Sequence, residues 1–425
     1  MHMFKKQNEM WCSMQKKECE LLHPQSMCPA FGGLRVLTRI DGVQVCLVAD
    51  QGCLYGLTFV THFYAARKSL VSPELMNVQI SGGTMIDDVR QTITEIASDP
   101  SVRFIPVVST CVAETAGIAE ELLPRRVGNA EVLLVRLPAF QIRTHPEAKD
   151  VAVATLLQRF GAFGEQRKPK SLLVLGEIFP VDAMAIGAIL QKIGVEAVIV
   201  LPGTALEDYI EAGQVEACAV LHPFYERSVA LLEKHGVKII TGNPIGANAT
   251  AQWIRRIGEV LELDSATVNA IADEESQKAR EVLGRFSHLE GKVMVAGYEG
   301  NELPVVRLLL EAGLDVPYAS TSIARTALGE EDHNVLSMLG TEIRYRKYLE
   351  EDMEAVRHYQ PDLVIGTTSL DSFAKEQGIP AIYYTNNISA RPLFFATGAA
   401  TVLGMISGLL ARKDAFRAMK EYFEG

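Results

Sequence analysis

LLVLGEIFPVDAMAIGAILQKIGVEAVIVLPGT, Leu172–Thr204, and VMVAGYEGNELPVVRLLLEAGLDVPYASTS, Val293–Ser322, are two copies of one pattern. In the first, an apolar run ends at Gly176, a helical stretch closes at Gly194, and a second apolar run follows. The second copy repeats this order around Gly297 and Gly313. Short apolar runs bounded by glycine read as strands buried on both faces. The helix between them is the crossover that two parallel strands require. Each copy therefore predicts a βαβ unit that opens a domain.

Working outward, the first copy continues into ACAVL, HPFYERSVALLEKHG and VKIIT. The second continues into EIRYR, a helix near 348–358, DLVIGTT and AIYYT. Upstream, strand signals at 43–49, 103–108 and 131–136 alternate with helical patterns at 84–97, 114–123 and 147–160. The fold class expected is α/β, with three Rossmann-like parallel-sheet domains. The expected divisions are an N-terminal arm over 1–22, a first α/β domain over 23–165, a second over 166–290 and a third over 291–425. GEQRKPKS, Gly164–Ser171, reads as the linker between the first two. Residues 264–290 read as a charged helical connector closing the second, and helices close the third. Neither G-x-G-x-x-G nor G-x-x-x-x-G-K-[ST] occurs, so neither a dinucleotide fingerprint nor an ATP-binding P-loop is expected.

At 425 residues the chain exceeds what one core organises. Its net charge of −11 argues against a nucleic-acid partner, which needs a basic face. The first twenty residues lack the apolar core of a signal peptide, and seven cysteines form no even framework. Both features point to a reducing cytoplasm. Leu393–Leu410, LFFATGAATVLGMISGLL, carries no charge but includes Gly398, Gly404 and Gly408. It reads as a buried helix rather than a membrane span, with the Gly404/Gly408 spacing suited to close helix packing.

The chemistry is expected at three cysteines. Cys28 lies in HPQSMCPAFGG, Cys53 follows the apolar run VQVCLVAD, and Cys111 follows FIPVV. Each is placed in a turn past a strand end, at the carboxyl edge where α/β sheets bind ligands. Cys111 also precedes a helical pattern, where free amides favour a thiolate. Structural zinc sites use ligands paired two to four residues apart, and none of these is paired. Widely spaced thiolates suit an iron–sulfur cubane, which takes four. The fourth ligand then comes from another cysteine of this chain or from a partner chain. Cys46 and Cys218 lie inside apolar runs and read as buried hydrophobes. Cys12 and Cys19 lie in the polar arm. The aromatic run YGLTFVTHFY, Tyr55–Tyr64, reads as a core-facing helix or as the wall of a pocket for a flat ligand.

The stretches PQSMCPAFGGLRV, YGLTFVTHFY, THPEAKDV, HPFY, GYEGNEL, IGTT, TNNISARPL and MKEYFEG resemble subunits of nitrogenase component 1 and its relatives. Within them, the resemblance is to the Y-type subunits of chlorophyllide a reductases. It spans residues from about 24 to 424. That resemblance implies that Cys28, Cys53 and Cys111 supply three ligands to a [4Fe–4S] cluster, with the fourth from a Z-type partner subunit. It implies an α2β2 heterotetramer and ATP-driven reduction of the C7–C8 double bond in ring B of chlorophyllide a. Electrons would arrive from a separate nitrogenase-iron-protein-like reductase, which alone would use ATP-Mg. One departure is local: TCVAETAG lacks the proline expected soon after Cys111. His62, His145 and His222 fall in matching stretches as titratable groups, and each reads as a turn or helix residue rather than as a catalytic one. Competing readings are a dark-operative protochlorophyllide reductase subunit, a scaffold for nitrogenase cofactor assembly, and a non-enzymatic α/β metal-binding protein.

Overall fold

The computed structural model describes residues 23, 25–58, 70–73, 75, 77–164, 166–178 and 180–424. The arm with Cys12 and Cys19, His62, and most of the aromatic run lie outside the described residues. Three parallel sheets are present, as the repeated βαβ pattern requires.

The first sheet is built from β1 (Cys46–Val48), β2 (Phe104–Ser109), β3 (Arg126–Val127) and β4 (Ala130–Arg136), in the order β1-β2-β4-β3. Only β3 is antiparallel. Its helices are α1 (Pro29–Leu37), α2 (Gln51–Leu57), α3 (Asn77–Gly82), α4 (Met85–Ile96), α5 (Cys111–Thr115) and α6 (His145–Phe160). All six residues of β2 are buried, as expected of a central strand covered on both faces.

The second sheet holds β5 (Lys168–Leu175), β6 (Ala197–Leu201), β7 (Val215–Val220) and β8 (Lys238–Thr241), ordered β6-β5-β7-β8. Helices α7 (Pro180–Lys192), α8 (Leu206–Glu211) and α9 (Glu226–Lys234) connect them. Then α10 (Ala247–Val260) and α11 (Ser265–Arg285) lead to the third sheet. There, β9 (Lys292–Gly297), β10 (Asp315–Thr321), β11 (Glu342–Tyr345), β12 (Leu363–Gly366) and β13 (Ala381–Tyr383) run in the order β11-β10-β9-β12-β13. Its helices are α12 (Glu302–Glu311), α13 (Glu330–Met338), α14 (Leu349–Tyr359) and α15 (Thr368–Glu376), followed by α16 (Phe395–Leu410) and α17 (Lys413–Glu424). Gly194 and Gly313, with φ of +96° and +89°, end α7 and α12 as the repeat anticipates.

The hydrophobic cores are shared between sheets. Leu172 and Ile186 of the second belong to one buried cluster with Val293 and Leu309 of the third. Leu34 and Phe104 of the first belong to another with Leu173 and Tyr225. Helix α16 joins the former through Ala399, Val402, Leu403 and Ile406. Among the described residues no single helix is long and apolar enough to cross a membrane. The pair Phe395–Leu410 and Lys413–Tyr422 passes by length and composition together, but is bent by 42°.

Three expectations need correction. No strand precedes Cys28 among the described residues; the chain runs irregularly from Gln25 into α1. The helix expected over 114–123 is a single turn, Cys111–Thr115, and a separate 3-10 turn, Glu120–Leu122. Gly117, at φ +80°, breaks them apart. Gly404 and Gly408 are exposed and make no close helix contact: a Cβ at Gly404 would meet only Phe286 at 3.9 Å. The glycine that packing demands is Gly398, whose Cβ would lie 1.9 Å from the Leu393 backbone.

Candidate metal centre

Strands β1 and β2 pair in parallel with Val48 opposite Ser109, so α2 and α5 start side by side at the carboxyl edge of the first sheet. The Thr110 amide and hydroxyl donate to the Val48 carbonyl at 3.2 and 3.0 Å, fixing one start against the other. Cys111 opens α5. Cys53 sits in the first turn of α2, where Asp50 caps the helix by accepting from the Cys53 amide at 2.9 Å. Cys28 is the N-cap of α1, with Pro29 as its first helical residue. All three thiols thus stand at helix starts, where unpaired amides and the helix dipole favour negative charge.

The structure brings the three together electrostatically. Burial pushes the Cys53 thiol up to about 12, the Asp50 carboxylate adds to this, and charge on Cys28 and on Cys111 raises it further. Burial also raises Cys28, opposed by a hydrogen bond from the Ala30 amide and reinforced by charge on Cys111. Cys111 Sγ accepts from the Ala139 amide at 3.2 Å. Among the described residues no three His, Cys, Asp or Glu side chains converge tightly enough to hold one metal ion. Thiols that sense one another's charge, one of them holding an amide donor, are a donor set of the kind that iron–sulfur clusters use. Cys46 and Cys218 are fully buried in β1 and β7, where burial alone holds their thiols protonated.

The residues around Cys28 are not held by the first sheet alone. His23 bonds Glu350 at the start of α14, and the Leu349 amide donates to the His23 carbonyl at 2.9 Å. Gln25 accepts from Thr367 at the start of α15. On the other side of Cys28, Gly32 touches α6 so closely that a Cβ would lie 1.8 Å from the His145 carbonyl oxygen.

Beyond that contact lies a cluster of buried charges. Lys149, 1% exposed, donates to Glu177 at 2.7 Å and to Glu299 at 3.2 Å. Arg35 of α1 and Arg39 just beyond its end also pair with Glu177, the latter at 3.2 Å. Burial would raise the Glu177 carboxyl, but Arg35, Lys149 and Arg39 outweigh it and bring it down to about 2. Glu299 is likewise held well below the usual carboxylate range, burial being overcome chiefly by Lys149 and His145. Burial keeps His145 below its ordinary value despite the attraction of Glu299. The carboxylate can only accept, so Nε2 of His145 carries the proton in their 3.2 Å contact. Its Nδ1 has no partner among the described residues. His222, past the end of β7, is buried beside the same charges.

The sequence reading placed His145 and His222 in turns and missed Arg35, Lys149, Glu177 and Glu299. Charged residues in the stretches THPEAKDV and GYEGNEL were the available signal. Nothing in their spacing shows that they meet.

The family model for nitrogenase component 1 type oxidoreductases matches residues 28–410. The chain is 34% identical over 413 residues to the chlorophyllide reductase 52.5 kDa chain of Cereibacter sphaeroides, covering 95% of this chain and 82% of that one. The same named chain of Rhodobacter capsulatus is also 34% identical, with 95% and 83% covered. Subunit N of the light-independent protochlorophyllide reductase of a Synechococcus strain is 24% identical over 332 residues, 75% of each chain. Among solved structures, nitrogenase Cp1 at pH 6.5 superposes with a TM-score of 0.78 at 18% identity, covering 93% of this chain and 94% of that one. The chain belongs to the nitrogenase component 1 type oxidoreductases.

Proposed function

We propose that this chain is a subunit of the catalytic component of a chlorophyllide a reductase, acting on the C7–C8 double bond of ring B. The observation that carries the reading is the 34% identity to chlorophyllide reductase chains over 95% of this chain's length, supported by Cys53 and Cys111 past the ends of two paired strands and by Cys28 near enough for its charge to act on Cys53. These three thiols would hold a [4Fe–4S] cluster, with the fourth ligand from a Z-type partner in an α2β2 heterotetramer. When bound, such a cluster supplies single electrons at low potential, in the range of roughly −400 mV for ferredoxin-type centres. ATP-Mg would be used by a separate nitrogenase-iron-protein-like reductase.

The chain's own residues do three things in this scheme. The helix starts present positive dipole ends to the sulfurs. The Ala139 amide donates to Cys111 Sγ at 3.2 Å and orients that sulfur. Asp50 holds the first turn of α2, and with it Cys53, in place. The test is anaerobic reconstitution with both partner components, ATP and a low-potential donor, offering chlorophyllide a and protochlorophyllide in separate reactions. Reduction of chlorophyllide a alone is expected. Turnover of protochlorophyllide alone would move the chain to the light-independent protochlorophyllide reductases, and iron–sulfur absorbance without turnover of either would favour a scaffold.

A further inference from the structure

Two of the three thiols owe their placement to the first sheet, and the third does not. Cys53 and Cys111 follow adjacent, hydrogen-bonded strands whose register sets one relative to the other. Cys28 precedes α1, which follows no strand among the described residues. Beside its packed apolar face, α1 is held by charge. Arg35 in the last turn of α1 and Arg39, two residues past its end, both reach Glu177, which follows β5 of the second sheet. Glu177 is tied through Lys149 of α6 to Glu299, which follows β9 of the third sheet, and Glu299 to His145 at the start of α6. One chain of contacts therefore joins the helix that carries Cys28 to all three sheets.

An apolar contact of the same size would permit sliding. A buried carboxylate between fixed cations does not, because displacing it leaves a desolvated charge unpaired. Buried ion pairs are poor sources of net stability and are best attested as devices that set register. A glycine of α1 fits the same logic: Gly32 brings the helix against the His145 backbone too closely for any side chain.

We infer that the Arg35–Glu177–Lys149–Glu299 network is a positioning device for Cys28, setting its distance from Cys53 and Cys111 and so the shape of the thiol triangle. The inference rests on the proposed function, since it assigns the network a role toward the group those thiols would hold. Glu177 and Lys149 touch no reacting atom and act through α1.

The test uses the assembled complex, purified anaerobically, with Glu177→Gln. Two readouts are needed: the rate of iron loss to a chelator and the electron paramagnetic resonance line of the reduced protein. Loss of a residue that orients a metal ligand typically weakens metal holding by about tenfold to a hundredfold. Iron loss at least about tenfold faster is therefore expected, with a shifted resonance line. Arg307→Met is the control, because Arg307 pairs with Asp332 at 2.6 Å between α12 and α13, outside the contacts named around Cys28. It should lower thermal stability while leaving line and iron loss as in the wild type. If Glu177→Gln fails to assemble, Arg39→Gln removes one cation at the half-exposed edge of the network and should shift the same readouts in the same direction. An unchanged line and unchanged iron loss in a folded variant overturn the inference, as does an equal change in Arg307→Met. A wild-type complex without an iron–sulfur signal removes the underlying reading, and the inference falls with it.

Discussion

Cys53 and Cys46 are seven residues apart, and burial brings both thiols up to about 12, yet their settings differ. Cys46 faces only apolar neighbours within β1, whereas Cys53 faces Asp50, Cys28 and Cys111. Replacing Cys28, Cys53 or Cys111 by Ala should strip iron from the assembled protein. Cys46→Ala and Cys218→Ala should retain it and cost about 1 kcal/mol each through lost packing. Iron analysis beside thermal melts separates the two classes. His222 offers a second prediction. Burial, chiefly, and the charge of Lys149 bring it down to about 4 from 6.5. A base depressed in the folded state contributes stability that is intact above the unfolded value. That stability is lost as pH falls from about 6.5 to about 4. The loss should be on the order of 2–3 kcal/mol. Asp150 and Asp182, raised to about 6 mainly by burial, work in the opposite direction and are common to both proteins compared. His222→Gln should therefore flatten the decline in stability across this window, measured by denaturant melts of wild type and variant side by side. An equal slope in both would remove His222 as its source.

Helix α16 shows how an element can be recognised from sequence while its packing is not. Its uncharged run was legible as a buried helix, and Ala399, Val402, Leu403 and Ile406 form the buried stripe. The glycine that matters was misread, because a glycine's spacing says nothing about which side of the helix meets a neighbour. Gly404→Ala should be stabilising by up to about 1 kcal/mol, the helix-propensity gain, since its Cβ enters ordinary contact. Gly398→Ala must displace the Leu393 backbone and should cost roughly 1–3 kcal/mol. Opposite shifts in melting temperature are the expected result. Equal shifts would place the tight contact elsewhere on the helix.

At the scale of the whole molecule, the cysteine edge is open. Cys28 is exposed, Tyr55 beside Cys53 is 86% exposed, and Phe140, next to the amide that meets Cys111, is 61% exposed. Large aromatics left exposed beside the three cysteines are the type of side chain that anchors interfaces. Tyr55→Ala with Phe140→Ala should weaken association with the partner subunit roughly tenfold or more, the equivalent of about 1.4 kcal/mol or greater. Met338 and Leu339, equally exposed at the end of α13, serve as the comparison, and their truncation should leave association unchanged. Titration by sedimentation or mass photometry reads both. Association that is indifferent to Tyr55 and Phe140 would put the partner on another face.

The sequence alone determined the three sheets, because glycine-bounded apolar runs around crossover helices leave a parallel arrangement as the one that buries them. It also determined that Cys53 and Cys111 stand at strand ends and that Cys46 and Cys218 do not, since local hydrophobic pattern sets both. The seat of Cys28 was not legible: its helix follows no strand among the described residues, and the neighbouring His23, Gln25 and Arg35 are met by Glu350, Thr367 and Glu177, far along the chain. The meeting of Arg35, Lys149, Glu177 and Glu299 was equally hidden, since a lone charge in a mixed stretch reads as a solvated one. Only the tertiary structure, by closing three sheets around one point, turns those four scattered residues into a buried network.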